Sequence, residues 1–185
     1  MTVDWITLQQ RAHDEFASRV AAVDDWDAPT PDTDWTVRDL VRHVTREQQW
    51  VPVLLEGGHP SESDTVVEPL GDDLVAEWRR WSTAATEAWR AADPDADVTL
   101  STEVVAVKEY LAEQVSDVTI HTWDLSRAIG ADEELDDDLV EAVWGVFEPQ
   151  KDALEASGLF ASPVPVGDDA PLRIRLLALT GRDAR

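Results

Sequence analysis

Apolar residues along the chain recur mostly at the three- and four-residue spacing of an α-helix, which predicts a helix-rich fold. Leu74, Trp78, Trp81, Ala85 and Trp89 show the pattern clearly, because together they form one stripe along a single helix. Such a stripe needs a partner surface, so these tryptophans are expected in a core. The predicted helices cover about residues 3–23, 36–56, 72–92, 104–129 and 136–147.

Residues that start and stop helices support these boundaries. Thr36 followed by Asp39 is typical of a helix N-terminus, and Gly130 is a good residue to follow a helix end. Pro52 is expected to kink the second helix before Gly57 and Gly58 stop it. Outside the main helices, a short extended piece is predicted at 98–100, a further helical segment up to 157, and a short helix or strand at 172–179.

These elements predict a mainly all-α protein, most simply a four-helix bundle with C-terminal additions. The chain has 185 residues, which fits one domain with a substantial core. Neither an internal repeat nor a linker-like stretch interrupts the pattern. We therefore predict a single domain over residues 1–185.

The charge balance excludes some classes of partner. Asp and Glu number 39 against 15 Lys and Arg, which gives a formal net charge of -24. Such a field repels phosphate backbones and anionic lipids, so neither nucleic acid nor membrane is an expected partner. A solvated acidic surface explains the charge more simply than a patch that recruits a basic partner. With no basic-apolar leader in the sequence, a soluble cytoplasmic protein is expected.

Candidate metal chemistry is concentrated in the fourth predicted helix. Asp117 and His121 stand four residues apart, so their side chains share one helix face, and Asp124 lies three residues further on. His43 lies near the apolar face of the second helix, and Glu47 follows one turn later as a fourth ligand, an outer-shell acceptor or a general base. The chain has no cysteine, so any metal site must use oxygen and nitrogen ligands.

Spacing alone leaves simpler interpretations open. An Asp and a His one turn apart form an ordinary hydrogen-bonded pair more often than a ligand set, and His43 alone could be a partly buried polar residue. His13 and His59 are expected at the surface, the first among charges and the second in a Gly/Pro loop. Trp123 stands between polar residues of the candidate site, and it either lines a pocket there or belongs to the core.

Two longer motifs resemble a known family. The first runs from Thr30 to His43 and on to Glu47, and the second is Asp117-Val-Thr-Ile-His-Thr-Trp-Asp-Leu-Ser-Arg-Ala-Ile-Gly130. In this order they resemble the DinB-like metal-binding bundles, and within them the mycothiol-dependent maleylpyruvate isomerase N-terminal-domain group. The C-terminal Leu159-Phe160 and the stretch from Pro163 to Arg182 are also similar to the ending of small, uncharacterised members.

The resemblance implies a four-helix bundle with a divalent metal held by His43, Asp117 and His121. Zinc is the expected metal, with nickel, manganese and iron as alternatives. Asp117 stands where the isomerase itself carries Glu, so the arm that reaches the metal is shorter. The isomerase also carries a separate C-terminal domain, which we do not expect in this chain.

Three protein ligands leave an open coordination position, as in catalytic metal sites. The resemblance therefore implies a metal-dependent enzyme that uses a low-molecular-weight thiol, as an isomerase or S-transferase acting on an electrophilic substrate. Arg42 and Arg127 are candidates to bind a carboxylate of thiol or substrate, although each could simply be a surface ion-pair residue. Asp124 or Glu47 would orient an imidazole.

Two other functions stay open. The chain could be a non-catalytic metal-binding or stress-associated protein, and two copies could pair as a homodimer through exposed helix faces. Alternatively, the polar cluster could be purely structural and bind no metal. The coordination sphere distinguishes these hypotheses, because a fourth protein ligand would close the site, whereas an open position beside a pocket favours an enzyme.

Overall fold

The capped, amphipathic segments of the chain form helices close to the predicted positions. The computed structural model describes residues 3–31, 34–59, 67–100, 103–158 and 160–185. Internal contacts divide the chain into two units, residues 2–133 and 134–185. The single domain over residues 1–185 remains a prediction.

Four helices build the first unit: α1 (Trp5–Val20), α2 (Val37–Leu55), α3 (Leu74–Ala91) and α4 (Val107–Ile129). Helix α1 packs mainly on α4 and α2 packs mainly on α3, while α1 also contacts α3 and α2 also contacts α4. Each helix therefore touches two others, and their apolar stripes meet inside the ring. This arrangement confirms the mainly all-α, DinB-like fold.

Local capping explains why the helices begin and end where they do. The Asp4 side chain accepts a hydrogen bond from the Thr7 N–H at the start of α1. Thr36 and Asp39 cap α2 reciprocally, since each side chain accepts from the other residue's backbone N–H. Gly130 follows α4 with φ of 65°, a conformation that costs little only without a Cβ. An N-cap side chain such as that of Asp4 or Thr36 contributes about 1 kcal/mol to helix stability.

A short hairpin precedes α4, and here the helix prediction was wrong. Strands β1 (Asp97–Leu100) and β2 (Glu103–Ala106) pair antiparallel, with Val98 opposite Val105. The fourth helix was expected from about residue 104, but it begins at Val107. Consecutive valines suit a strand, and pairing with β1 supplies hydrogen bonds that the first helical turn would otherwise leave unused.

The core of the first unit follows the predicted apolar stripes. Trp78 and Trp89 are buried as expected, whereas Trp81 is half-buried and its indole N–H donates to Glu77 at 3.0 Å. Phe16 packs against Trp78 with ring centroids 4.6 Å apart. No helix in the described part of the chain is both long and apolar enough to cross a membrane.

The second unit, residues 134–185, carries the predicted C-terminal additions. It contains α5 (Asp137–Phe147), a 3-10 turn (Glu148–Gln150), α6 (Lys151–Ser157) and α7 (Leu172–Leu179). The segment left open as helix or strand is thus the helix α7, which packs on α5.

Candidate metal centre

Three predicted ligands meet where α2 and α4 face each other. His43, Asp117 and His121 each offer one ligand atom, and these atoms all lie within 4.8 Å of one another. Asp117 Oδ1 lies 3.4 Å from His121 Nε2, and Asp117 Oδ2 lies 3.9 Å from His43 Nε2. We refer to these three residues as the triad. Among the described residues, no fourth His, Asp or Glu joins the group.

The carboxylate of Asp117 is the feature of the triad that points most directly to a cation. Its Oδ2 is buried and has no hydrogen-bond partner, because 3.9 Å to His43 is too long for a hydrogen bond. The side chain as a whole is still 27% exposed, so the site is reachable from outside. A divalent cation fits this donor set, because it satisfies the unpaired oxygen and accepts two imidazole nitrogens.

Electrostatics within the triad favour an ionised Asp117. Burial by itself raises the pKa of Asp117, but the imidazoles of His121 and His43 outweigh it, so the pKa lies below its usual range. Burial likewise lowers the pKa of His121, but Asp117 and Asp124 together raise it above its usual range. The cluster therefore holds a negative charge that attracts a positive one, whether a proton or a metal ion.

Asp124 orients one of the candidate ligands. Its side chain is fully buried, and its Oδ2 lies 3.0 Å from His121 Nδ1. A buried carboxylate accepts, so Nδ1 donates to Asp124 and Nε2 is left facing Asp117, where it can bind a proton or a metal ion. Carboxylates behind metal-binding histidines act in this way.

An aromatic side chain covers the triad, but it is Trp35 rather than Trp123. The Trp35 ring lies 4.7 Å from the His43 ring and 5.8 Å from the His121 ring, measured between centroids. Trp123 is 1% exposed, and the guanidinium of Arg127 lies 4.6 Å from the centroid of its ring. Trp35 is the residue of the site that sequence reasoning missed, although its place directly before the Thr36 cap was a usable signal.

A cleft of about 650 Å³ lies beside the triad, with His43 in its wall. Arg42 lines this cleft, and its guanidinium lies 3.6 Å from the Asp72 carboxylate. Arg127, the other predicted carboxylate-binding residue, bonds Glu133 through two nitrogens at 2.6 and 2.8 Å. The cleft wall, as far as it consists of described residues, does not include Arg127.

Glu47 lies near the triad without belonging to it. Burial raises the pKa of Glu47, and the negative charge of Asp117 raises it further. The Gln114 amide hydrogen-bonds its carboxylate. Among the described residues, Glu47 does not join the group of ligand atoms. Of its three predicted roles, outer-shell acceptor and general base therefore remain, and fourth ligand does not.

A second buried polar cluster starts at His13, which was expected at the surface. His13 is only 7% exposed because α1 packs on α4 and α3, and its ring lies 5.1 Å from the Trp78 ring, measured between centroids. Its Nε2 donates to Gln48 at 3.1 Å, its Nδ1 accepts from Gln9 at 2.9 Å, and Gln48 donates to Gln114 at 3.0 Å. Gln9 also donates to Thr86 at 2.9 Å. We refer to Gln9, His13, Gln48, Thr86 and Gln114 as the amide network.

Comparisons with known proteins identify a family whose conserved region includes this part of the chain. The family described as "Mycothiol maleylpyruvate isomerase N-terminal domain" matches residues 10–126, which include the whole triad. Two relatives are uncharacterized proteins of Mycobacterium tuberculosis, one from strain CDC 1551 / Oshkosh and one from strain ATCC 25618 / H37Rv. Each is 29% identical over 191 aligned positions, covering 99% of this chain and 100% of the relative. No solved structure shows significant similarity to the chain.

Proposed function

Since the chain belongs to the family of the mycothiol maleylpyruvate isomerase N-terminal domain, we propose that it is a metal-dependent enzyme that uses a low-molecular-weight thiol. The proposed reaction is an isomerisation or an S-transfer on an electrophilic substrate. His43, Asp117 and His121 are the proposed metal ligands. Zinc is the proposed ion, with nickel, manganese and iron as alternatives.

The observation that supports this proposal best is the unpaired Oδ2 of Asp117, placed between two imidazoles beside an open cleft. A buried acceptor without a partner costs about 1–3 kcal/mol, and a bound cation would remove that cost. A bound divalent ion lowers the pKa of a coordinated thiol or water, which makes a nucleophile near neutral pH.

The remaining residues position and protect the reacting groups. Asp124 fixes the ring of His121, and Trp35 covers the two imidazoles and limits access of water from its side. Arg42 is the proposed contact for a carboxylate of thiol or substrate, because it lines the cleft next to His43. The assignment of Arg127 to the same role stays a prediction, as does the cytoplasmic location.

A non-catalytic metal-binding or stress-associated protein is the alternative function. A closed site with a fourth protein ligand would support it. The cleft beside His43 supports the enzyme instead, because a small molecule can reach the triad there.

Metal content tests the first half of the proposal. Protein purified without chelator should carry a stoichiometric divalent ion, and His43→Ala and Asp117→Asn should each lose it. His13→Gln is the matched control, since it changes a buried polar residue outside the triad. A parent protein without metal, or both variants with unchanged metal, overturns the proposal.

The thiol half needs its own measurement. Cobalt-substituted protein titrated with low-molecular-weight thiols should change its visible absorption, because a thiolate ligand alters the spectrum of the ion. The matching alcohols serve as controls. An unchanged spectrum with every thiol, in protein that does hold cobalt, contradicts thiol use while leaving the metal site intact.

A further inference from the structure

The cleft beside the triad has walls of two kinds. Trp35, Pro69 and Leu70 supply apolar surface, whereas Arg42 and Arg46 supply positive charge. Two arginines thus share one cleft wall in a chain with 39 acids and 15 bases, and the same wall also holds Asp34 and Asp39. Such a combination suits a small molecule with a hydrocarbon body and an anionic group.

The two arginines differ in how they are engaged. Arg42 is held from outside the cleft by the Asp72 carboxylate at 3.6 Å and by the Gly71 carbonyl at 3.4 Å. Arg46 forms no ion pair within 4.0 Å with any residue in the described part of the chain. Its charge does act on the neighbouring Glu47, where it opposes the rise in the pKa of a carboxylate that Gln114 hydrogen-bonds. The guanidinium of Arg46 is therefore less engaged by protein groups than that of Arg42.

Acidic residues in the same wall do not neutralise Arg46 through a direct contact. Asp39 lines the cleft, but its Oδ2 accepts from the Thr36 hydroxyl at 2.6 Å and from the Thr36 N–H at 3.0 Å. Asp34 also lines the cleft and is exposed to solvent. Both carboxylates lie towards the start of α2 in the sequence, whereas Arg46 lies one turn beyond His43.

Helical spacing places Arg46 within reach of the triad. It stands three residues after His43 and four after Arg42, and side chains at these spacings are neighbours with Cβ atoms about 5–6 Å apart. An anionic group held by Arg46 would thus bring the rest of a small molecule up to His43. A guanidinium also recognises a carboxylate by two parallel hydrogen bonds, which fixes orientation as well as position.

We propose that Arg46 is the specificity-determining residue of the cleft and selects substrates that carry a carboxylate on an apolar body. The inference rests on the proposed function, since the triad supplies the chemistry next to the bound carboxylate. Trp35, Pro69 and Leu70 contact the apolar body, and Arg46 discriminates the anion from a neutral analogue of the same shape.

Benzoate and benzamide are suitable probes, because they share one shape and differ in charge. Their binding is measured by calorimetry in metal-free protein, where benzoate has no ion to coordinate. The parent should bind benzoate more tightly than benzamide. Arg46→Gln should weaken benzoate about tenfold or more, the scale of one charge-assisted hydrogen bond, and leave benzamide unchanged.

Two further variants separate recognition from general charge and from folding. Arg79→Gln removes an exposed arginine of α3 outside the cleft wall, and should leave the affinity for benzoate unchanged. Arg46→Lys keeps the charge without the guanidinium, and should retain part of the preference for benzoate over benzamide. The metal content of Arg46→Gln should equal that of the parent.

The inference is overturned if the parent does not bind benzoate, if it binds benzamide equally well, or if Arg46→Gln binds benzoate like the parent. An equal loss in Arg79→Gln overturns it too, since that result shows a general field effect. These outcomes do not depend on metal: a parent without metal contradicts the proposed function, whereas the metal-free titration still decides the role of Arg46.

Discussion

The triad and the amide network are both polar clusters inside the same four helices, yet they are built on opposite principles. The amide network is formed by neutral amides, a hydroxyl and an imidazole, and its members bond one another. The triad concentrates an ionised carboxylate and two imidazoles, and it leaves Asp117 Oδ2 without a hydrogen bond. A neutral cluster whose members bond one another can align helices, whereas a charged cluster that leaves one buried acceptor without a hydrogen bond suits a bound cation.

The two histidines in these clusters show the same contrast through their pKa values. Burial lowers the pKa of His13 to about 4, and the bond to Gln48 only partly offsets it. In the triad, Asp117 and Asp124 overcome the same effect of burial on His121. The two imidazoles are buried to a similar extent, yet their surroundings have opposite effects. Those of His13 favour the neutral ring, whereas those of His121 favour a bound positive charge.

The largest expected effect is the loss of metal affinity in His121→Ala. Removing a ligand should weaken metal binding by more than the 10–100-fold typical of an outer-shell partner. His13→Gln should bind metal like the parent. Competition with a chromogenic chelator measures both. An equal loss of metal affinity in the two variants would show that the triad and the amide network act as one unit, and would contradict the contrast between them.

Acid should destabilise the protein through His13, which the folded state keeps neutral. The unfolded chain takes up this proton below pH of about 6.5, the folded protein only near 4, so stability falls as pH falls between these values. The difference between these two pKa values corresponds to a loss of roughly 3 kcal/mol in the free energy of unfolding. Urea unfolding at several pH values, with chelator present, measures it.

His13→Gln supplies the reference for this acid effect, because glutamine bonds similarly and does not titrate. The parent should lose more stability than the variant between pH values of about 6.5 and 4. Parallel curves for the two proteins would contradict the assignment of the acid effect to His13.

A smaller effect is expected when the residue behind His121 loses its charge. Asp124→Asn should weaken metal binding about 10–100-fold, since the amide is a poorer acceptor for the Nδ1 proton. Asp14→Asn makes the same charge change at an exposed position of α1 and should leave the affinity unchanged. If Asp124→Asn binds metal as tightly as the parent, the prediction is contradicted and the role of Asp124 is purely structural.

The smallest expected effect comes from a cap that both clusters share. Helix α2 carries His43 and Gln48, and Thr36→Ala removes the side chain that caps its first turn. The free energy of unfolding should fall by about 1 kcal/mol, with metal affinity close to that of the parent. A large loss of metal affinity in Thr36→Ala would mean that the cap also positions His43.

Much of the fold could be predicted from the sequence because its signals are local. Three of these signals act within a few residues: the cap formed by Thr36 and Asp39, the stop at Gly130 and the apolar stripe of α3. The observed helices follow them closely. The start of α4 could not be predicted this way. Val104 and Val105 lie in a strand because β1 is available to pair with them, and that partner is a matter of tertiary structure.

The candidate site likewise has features that the sequence could predict and features that depend on packing. The spacing of Asp117 and His121 and the motif around His43 could be recognised in the sequence, because one helical turn sets which side chains share a face. Helix packing, which the sequence does not reveal, brings His43 of α2 to that face, lays Trp35 rather than Trp123 over the triad, and buries His13. The physical reason is that helix spacing is a property of one segment, whereas burial and the meeting of side chains depend on how separate segments pack.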